Sequence, residues 1–168
     1  MRHIVFDQEK CVGCQICQLV CSGVWHKVFN PLKANIQIES TGWYGQFKAY
    51  VCQQKEEAEC VKACPTGALY VDDKKRLIRF ERKKCDGCKL CVDACPYNAI
   101  FVYPDYEYIL KCDLCGGEPA CVEVRYPGAL VYEPMSWPER KGQLERQIVA
   151  RRAHGIQELP AFPINVKE

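Results

Sequence analysis

Cysteine dominates the chemistry available to this chain. The 168 residues include 14 cysteines, and the stretch CVGCQICQLVC, Cys11 to Cys21, contains four of them. Thiols gathered this closely serve disulfides, zinc sites, iron–sulfur clusters or redox-active thiol pairs. The spacing of the other cysteines and the composition of the chain distinguish these four chemistries.

The cysteines occur in four imperfect copies of one motif. The second copy, CQQKEEAECVKACP, begins at Cys52; the third, CDGCKLCVDACP, begins at Cys85; the fourth, CDLCGGEPACVEVRYP, begins at Cys112. No cysteine lies outside the four copies. The repetition indicates that the thiols act in sets.

Two of the copies have a complete C-x2-C-x2-C-x3-C spacing, and the third copy ends in Cys95-Pro96. This spacing is typical of bacterial ferredoxins. Three cysteines at intervals of three residues allow one tight loop to supply three thiolates to a cubane cluster, and the fourth cysteine points away toward a neighbouring cluster. Such motifs therefore come in pairs, and two complete and two degraded copies indicate iron–sulfur clusters.

The competing chemistries fit less well. Zinc sites use two C-x2-C pairs held a dozen or more residues apart, and a thioredoxin-type pair needs a βαβ setting. Disulfides need an oxidising compartment, whereas the start MRHIVFDQEK has no secretory or twin-arginine pattern. No apolar run approaches the roughly 18 residues of a membrane helix. The sequence predicts a cytoplasmic protein with reduced thiols and no membrane insertion.

Composition also argues against other functions. The formal net charge of +2, with acids and bases interspersed, gives no electrostatic basis for nucleic-acid binding. The chain has no Gly-rich phosphate loop and no nucleophile–base set. A chain of this size filled by clusters has no room for a substrate pocket of several hundred Å3. We therefore expect an electron carrier without catalytic residues, with catalysis in a partner.

The elements that position the thiols repeat as well. A turn and a short apolar strand are predicted in CPTGALYV (64–71), CPYNAIFV (95–102) and RYPGALVY (125–132). The segment ALYVDDKKRLIRF predicts a β-hairpin with Asp72–Lys75 as its turn, and ECVKAC and KLCVDAC predict single helical turns. Residues 22–51 are interpreted as strands and loops. From Ser136 a capping box and helical periodicity predict a helix, followed by an extended arm with two prolines.

Residues 1–134 resemble the four-cluster electron-transfer subunits of molybdenum and tungsten oxidoreductases. The compact length and the KCDLCGGEPAC form of the fourth copy are most similar to the small subunits of the tungsten aldehyde oxidoreductase family. Within that family they are most similar to those of the class II, tungsten-dependent benzoyl-coenzyme A reductases of anaerobes.

The resemblance implies an α+β fold, a double ferredoxin-like arrangement of short helices and β-hairpins around the clusters. Residues 1–51 and 104–134 would form one half with two clusters, in which copies one and four pair. Residues 52–103 would form a second, inserted half, in which copies two and three pair. Residues 135–168 would add the C-terminal helix and a docking arm.

The resemblance also implies four ligand sets, two complete and two incomplete. The Cys21 site comprises Cys21, Cys112, Cys115 and Cys121. The Cys64 site comprises Cys64, Cys85, Cys88 and Cys91. The Cys11 site has Cys11, Cys14 and Cys17, and the Cys52 site has Cys52, Cys60 and Cys95.

The two incomplete sites lack a fourth cysteine because the family position is Arg125 in the Cys11 site and Lys55 in the Cys52 site. Neither a guanidinium nor an ammonium offers iron a lone pair. Each site therefore holds a [3Fe–4S] cluster, a [4Fe–4S] cluster with another fourth ligand, or no cluster. The sequence predicts two [4Fe–4S] clusters at the complete sites and three or four clusters in total.

The predicted function is relay of electrons between a further donor or acceptor protein and a large catalytic subunit with a tungsten or molybdenum cofactor. The resemblance implies a low-potential reduction such as that of benzoyl-coenzyme A. The long tail favours a permanent subunit because a diffusible carrier does not need it. The alternatives are a free polyferredoxin and a zinc-stapled interaction module.

Overall fold

The computed structural model describes residues 2–41, 45–55, 57–124 and 126–134. Short helices and short strands alternate along the chain, as an α+β fold requires. The strands are β1 Arg2–Phe6, β2 Gln37–Ser40, β3 Phe47–Tyr50, β4 Leu69–Asp72, β5 Leu77–Phe80, β6 Ile100–Val102, β7 Ile109–Lys111 and β8 Leu130–Pro134. The α-helices are α1 Ile16–His26, α2 Glu59–Lys62, α3 Leu90–Asp93 and α4 Ala120–Glu123. None of the described helices is long and apolar enough to span a membrane.

The strands form four antiparallel pairs: β1 with β8, β2 with β3, β4 with β5, and β6 with β7. The β1–β8 pair joins the two ends of the described chain, with Arg2 opposite Pro134 and Phe6 opposite Leu130. The other three pairs are formed by strands adjacent in sequence. Each hairpin follows or precedes a cysteine motif, so the strands fix where the cysteine loops lie.

The predicted hairpin and helical turns are confirmed. Strands β4 and β5 pair with Leu69 opposite Phe80, and the carboxylate of Asp72 accepts hydrogen bonds from the amides of Lys74 and Lys75 at 3.1 and 3.2 Å. The side-chain acceptor satisfies two amides that the turn leaves without strand partners. Helices α2 and α3 are the predicted single turns, each placing a buried cysteine, Cys60 or Cys91.

The prediction for residues 22–51 is wrong at its N-terminal edge. Residues 22–51 were expected to be strands and loops, but α1 continues through Cys21 to His26. Within the helix, Ser22 donates its hydroxyl hydrogen to the carbonyl of Leu19 and accepts the amide of Asn30, at 3.0 and 3.1 Å. This side chain anchors the returning loop to the helix, so tertiary contacts extend the helix beyond the motif.

A buried polar junction joins three segments far apart in sequence. Gln54 is fully buried; its amide donates to the carbonyl of Cys112 at 3.0 Å and its oxygen accepts the amide of Ile78 at 2.8 Å. Lys111 donates to the carbonyls of Ile78 and Cys112 at 3.1 and 2.9 Å. Buried backbone groups need such partners, and these two side chains tie the second cysteine copy and β5 to the fourth copy.

Some sequence predictions fall outside the described residues. They are the C-terminal helix and docking arm of residues 135–168, and Arg125.

Candidate metal centre

The loops that present the cysteines have the same local conformation. The residue before the second cysteine of the motif has a positive φ: Gly13 at 68°, Gly87 at 73° and Leu114 at 57°. A left-handed residue turns the chain sharply, so that thiols on both sides of it face one space. At Gly87 the absence of a side chain is required because a Cβ would lie 2.6 Å from the carbonyl oxygen of Glu107.

The second copy keeps this conformation without its cysteine. Gln54 has φ 49° and directly precedes Lys55, as Gly13 precedes Cys14 in the first copy. The backbone therefore supports the sequence alignment of Lys55 with the second cysteine of the motif.

Cysteines of the first and fourth copies lie close together at the Cys21 site. Burial raises the pKa of Cys21 to about 12, and the nearby thiol of Cys115 adds to this rise. Burial also raises the pKa of Cys121, and the neighbouring thiols of Cys21 and Cys115 raise it further. The pKa of the fully buried Cys112 is raised by burial and by the proximity of Cys121 and Cys21. Thiols from distant sequence positions thus lie near one another here.

Thiols of the second and third copies are neighbours at the predicted Cys64 site. Burial raises the pKa of Cys91 to about 12, and the nearby thiols of Cys64, Cys60 and Cys85 contribute. Burial of Cys64 acts to raise its pKa, but hydrogen bonds, led by that of the Leu69 amide, bring the pKa below its ordinary value. Cys88, three residues after Cys85 in the same loop, is exposed.

The Cys11 site borders an open cleft. Burial raises the pKa of Cys17 to about 11, and the proximity of Cys14 and Cys11 contributes. These three thiols line a cleft of about 420 Å3, including the part open to solvent, together with Phe6, Gln15, Ile38, Cys121, Val122 and residues 126–130. The three thiols thus border one solvent-accessible cleft, and the segment that follows Arg125 in sequence lines it as well.

The Cys52 site is buried. Burial raises the pKa of Cys60 to about 11, and the neighbouring thiols of Cys52 and Cys95 add to this effect. Burial also raises the pKa of Cys95, and Cys52 contributes again. At the fourth position the Lys55 ammonium forms an ion pair with the carboxylate of Glu59, one helical turn away. The cation at the fourth position is thus paired with an acid.

The four groups of thiols form a series. Cys17 lies close enough to Cys21 and Cys121 to raise the pKa of both, Cys52 contributes to the raised pKa of Cys112, and Cys60 contributes to that of Cys91. Neighbouring thiols thus link the Cys11 site to the Cys21 site, the Cys21 site to the Cys52 site, and the Cys52 site to the Cys64 site. The first and last of these groups contain the exposed thiols, Cys14 and Cys88.

The donor set suits iron–sulfur clusters. All 14 cysteines are free thiols. The backbone amides of Asn35, Ala99 and Leu114 lie 3.3, 3.4 and 3.4 Å from the sulfurs of Cys21, Cys95 and Cys112, and such N–H···S bonds stabilise thiolates and tune cluster potentials. The raised thiol pKa values mean that bound iron, rather than solvent, would keep these sulfurs deprotonated.

A site for a single ion is a different arrangement. In the part of the chain that the structure describes, no three Cys, His, Asp or Glu side chains converge closely enough to hold one metal ion. A multi-iron cluster holds its thiolates farther apart, because each thiolate binds a different iron.

Sequence reasoning did not identify Gln54 and Lys111 as parts of this region. Gln54 occupies the motif position that is Gly13 in the first copy and Gly87 in the third. A glutamine in place of this glycine was a signal that the sequence offered. Lys111 interrupts the apolar run of β7, in which all three residues are buried. A lysine within an apolar strand beside a cysteine motif was the second available signal.

The family models that match the chain describe iron–sulfur domains. A 4Fe-4S dicluster domain matches residues 43–133, and a 4Fe-4S binding domain matches residues 8–25. Together they include the cysteines of all four copies, and they favour clusters over zinc.

Curated relatives include an electron transfer subunit and a polyferredoxin-like subunit. The aliphatic sulfonate oxidoreductase polyferredoxin-like subunit of Pyrococcus furiosus is 35% identical, over 72% of this chain and 69% of the relative. The thiosulfate reductase electron transfer subunit PhsB of Salmonella typhi is 29% identical, over 92% of this chain and 85% of the relative. Protein NrfC of Escherichia coli K12 is 32% identical, over 86% and 70%.

A solved structure of the benzoyl-coenzyme A reductase active-site complex BamBC, as isolated, is also similar. The alignment has a TM-score of 0.47 and 23% identity, and covers 92% of this chain and 97% of the chain in that complex. At this score the similarity decides neither fold nor function. The family matches and the relatives above 30% identity are decisive: the chain belongs to the 4Fe-4S dicluster domain family, with a ferredoxin-like α+β fold.

Proposed function

We propose that this chain is the iron–sulfur electron-transfer subunit of an oxidoreductase complex. It relays electrons between a redox partner and a large catalytic subunit, and has no catalytic residues of its own. The observation that supports this most directly is the continuous series of neighbouring thiols from Cys14 to Cys88, both exposed. A relay needs cofactors that follow one another through the protein and reach the surface at both ends.

The ligands in this proposal are the four sets described above. The complete sets, at the Cys21 and Cys64 sites, would each hold a [4Fe–4S] cluster on four thiolates. The Cys11 and Cys52 sites would hold the remaining one or two. When bound, the clusters supply one-electron transfer; the chain supplies thiolates, amide donors to sulfur and shielding from water. The first and fourth copies would form one half of the fold, with the second and third copies inserted.

The functions of the relatives support the same class. PhsB is an electron transfer subunit of a thiosulfate reductase, and the Pyrococcus furiosus relative is a subunit of an aliphatic sulfonate oxidoreductase. The catalytic partners that these names imply differ, whereas the carrier is similar. The partner, rather than this chain, would therefore determine the substrate.

The finer form of the proposal names the partner. We infer a large tungsten or molybdenum cofactor subunit and a low-potential reduction such as that of benzoyl-coenzyme A. This inference rests on the compact length and the KCDLCGGEPAC sequence of the fourth copy.

Exposed apolar side chains favour a bound subunit over a diffusible ferredoxin. After the middle of α1 the chain exposes a group of large apolar residues: Phe29 is 81% exposed, Leu32 56% and Trp25 41%, with Val24 and Val28 beside them in sequence. Apolar residues grouped in this way on a small protein mark interaction surfaces. A large catalytic subunit would cover them, whereas a free carrier would expose them to water.

Anaerobic purification of the chain with its native partners tests the proposal. We expect a large subunit to co-purify, tungsten or molybdenum to elute with it, and an artificial donor to reduce the clusters before the large subunit turns over. Phe29→Ser should weaken the association without loss of cluster absorbance. Lys74→Ser, a change at the exposed β4–β5 turn, should not weaken the association. A chain that elutes alone with complete clusters would support the free polyferredoxin instead.

A further inference from the structure

Lys111 is a buried cation without a carboxylate partner in the described part of the chain. The residue is 3% exposed. Among the described residues its ammonium donates to two main-chain carbonyls, those of Ile78 and Cys112. Burying an ammonium is unfavourable unless opposite charge lies near, and the two carbonyls carry only partial charges.

The nearest buried acid is already paired. Asp113 lies 3.6 Å from the Arg79 guanidinium. Burial raises the pKa of Asp113, and Arg79 opposes this rise more strongly than Lys111 does. Asp113 is thus shared between Arg79 and Lys111 and offsets the Lys111 charge only in part.

Lys111 is also near two thiols of the Cys52 site. Burial raises the pKa of Cys60 and of Cys95, and the Lys111 ammonium opposes the rise in both. Lys111 also directly precedes Cys112 of the Cys21 site. The buried charge thus lies between the two inner sites of the series and acts on the thiols of the incomplete one.

Lys55 is the second lysine of this site, but its charge is compensated. Its ammonium pairs with Glu59, and the side chains are 27% and 43% exposed. A solvent-screened pair with no net charge has little effect on a nearby cluster. Lys55, which replaces the fourth cysteine, therefore has a weak electrostatic effect on the site. The buried charge of Lys111 has a strong one.

We propose that Lys111 raises the reduction potential of the cluster held by Cys52, Cys60 and Cys95, and thereby makes this inner cluster an electron acceptor within the relay. The proposal rests on the function proposed above. In the step concerned, a reduced cluster held at the Cys64 site would lose one electron and a cluster held at the Cys52 site would gain it, with no bond made or broken. The gain adds one negative charge, which a buried ammonium stabilises more strongly than water-screened cations do.

Redox titration followed by EPR on the anaerobically purified full-length chain tests this. Lys111→Gln removes the charge and keeps an amide that can donate to the carbonyls. Lys111→Met removes both the charge and the hydrogen bonds. Lys62→Gln is the control, because Lys62 lies two residues from Cys60 but its side chain is 68% exposed.

Both Lys111 variants should lower the midpoint potential of one cluster, and Lys62→Gln should not. We expect a change of at least tenfold in the ratio of reduced to oxidised cluster at a fixed potential, about 59 mV for one electron. An unmoved potential with intact clusters overturns the proposal and leaves Lys111 a structural tie. Loss of one cluster in both variants also overturns it, because Lys111 is then needed for assembly. A wild-type chain without any iron–sulfur signal would instead overturn the proposed function.

Discussion

Gln54 and Cys112 are 58 residues apart in sequence and joined by a hydrogen bond of 3.0 Å between the Gln54 amide and the Cys112 carbonyl. The Gln54 oxygen accepts the amide of Ile78 at 2.8 Å. A loop residue of one degraded motif copy thereby fixes the first residue of another. This junction lies between the Cys21 site and the Cys52 site, where an electron would pass from one half of the proposed fold to the other.

Gln54→Ala should destabilise the fold. It leaves the buried amide of Ile78 without its acceptor, which costs about 1–3 kcal/mol. We expect cluster absorbance in guanidinium to be lost roughly tenfold faster than in the wild type. Gln15→Ala is a matched control because Gln15 also has a positive φ, 58°, but is exposed. Equal rates for the two variants would show that the backbone change, and not the hydrogen bonds, is responsible.

Lys55→Cys should raise the iron content. The positive φ of Gln54 places residue 55 as the second thiol of its motif, so a cysteine there would complete the Cys52 site. EPR should show conversion of a three-iron to a four-iron signal, or a new four-iron signal. Lys62→Cys adds a thiol to the exposed face of α2 and should change neither iron content nor EPR. If Lys55→Cys has no effect either, the alignment of the second copy is wrong.

Arg125→Cys is the corresponding change at the Cys11 site. The cleft beside Cys11, Cys14 and Cys17 is walled by residues 126–130, so a thiol at position 125 would adjoin it in sequence. Iron content should rise or a three-iron signal should convert. A rise in only one of the two cysteine variants would mean that the other site already has a fourth ligand or does not assemble a cluster.

Removal of cysteines tests the pairing of copies. Cys21→Ala and Cys115→Ala should lose the same cluster, so the double variant should lose no more iron than either single variant. Cys64→Ala should remove a different cluster, and its iron loss should add to that of Cys21→Ala. Additive loss for Cys21→Ala with Cys115→Ala would contradict the assignment of both to one site.

Local features of this fold were predictable from sequence. The β4–β5 hairpin follows from alternating apolar residues around the polar turn that starts at Asp72, and the helical turns α2 and α3 follow from the motif itself. The extension of α1 to His26 was not predictable, because it depends on the contact of Ser22 with Asn30. The β1–β8 pair was not assigned either, since it joins segments more than 120 residues apart and depends on the whole fold.

The cysteine sets were predicted from the spacing of the motifs and from the family resemblance. The residues around them could be identified only in the structure. Lysine is usually a surface residue, so the residue type alone does not show that Lys111 is buried. The sequence singled out Lys55 instead, and only burial distinguishes the two lysines. Gln54 resembles a polar loop residue until its two buried partners are seen. The cytoplasmic location, the tungsten partner and the docking role of residues 135–168 stay predictions.

Deletion of residues 136–168 tests that docking role. The deletion removes no cysteine, so the clusters should survive while association with the large subunit weakens. Gel filtration of the complex and the absorbance of the truncated chain report the two effects separately. An unchanged complex would contradict a docking arm, and loss of the clusters would make the tail part of the core.

The most direct test of the account is the iron, inorganic sulfide and zinc content of the anaerobically purified full-length chain, measured together with its absorbance before and after reduction. The account predicts about eight iron and eight sulfide from the two complete sites alone, with more from the incomplete ones, and absorbance that bleaches on reduction. Stoichiometric zinc without sulfide and without visible absorbance would contradict it.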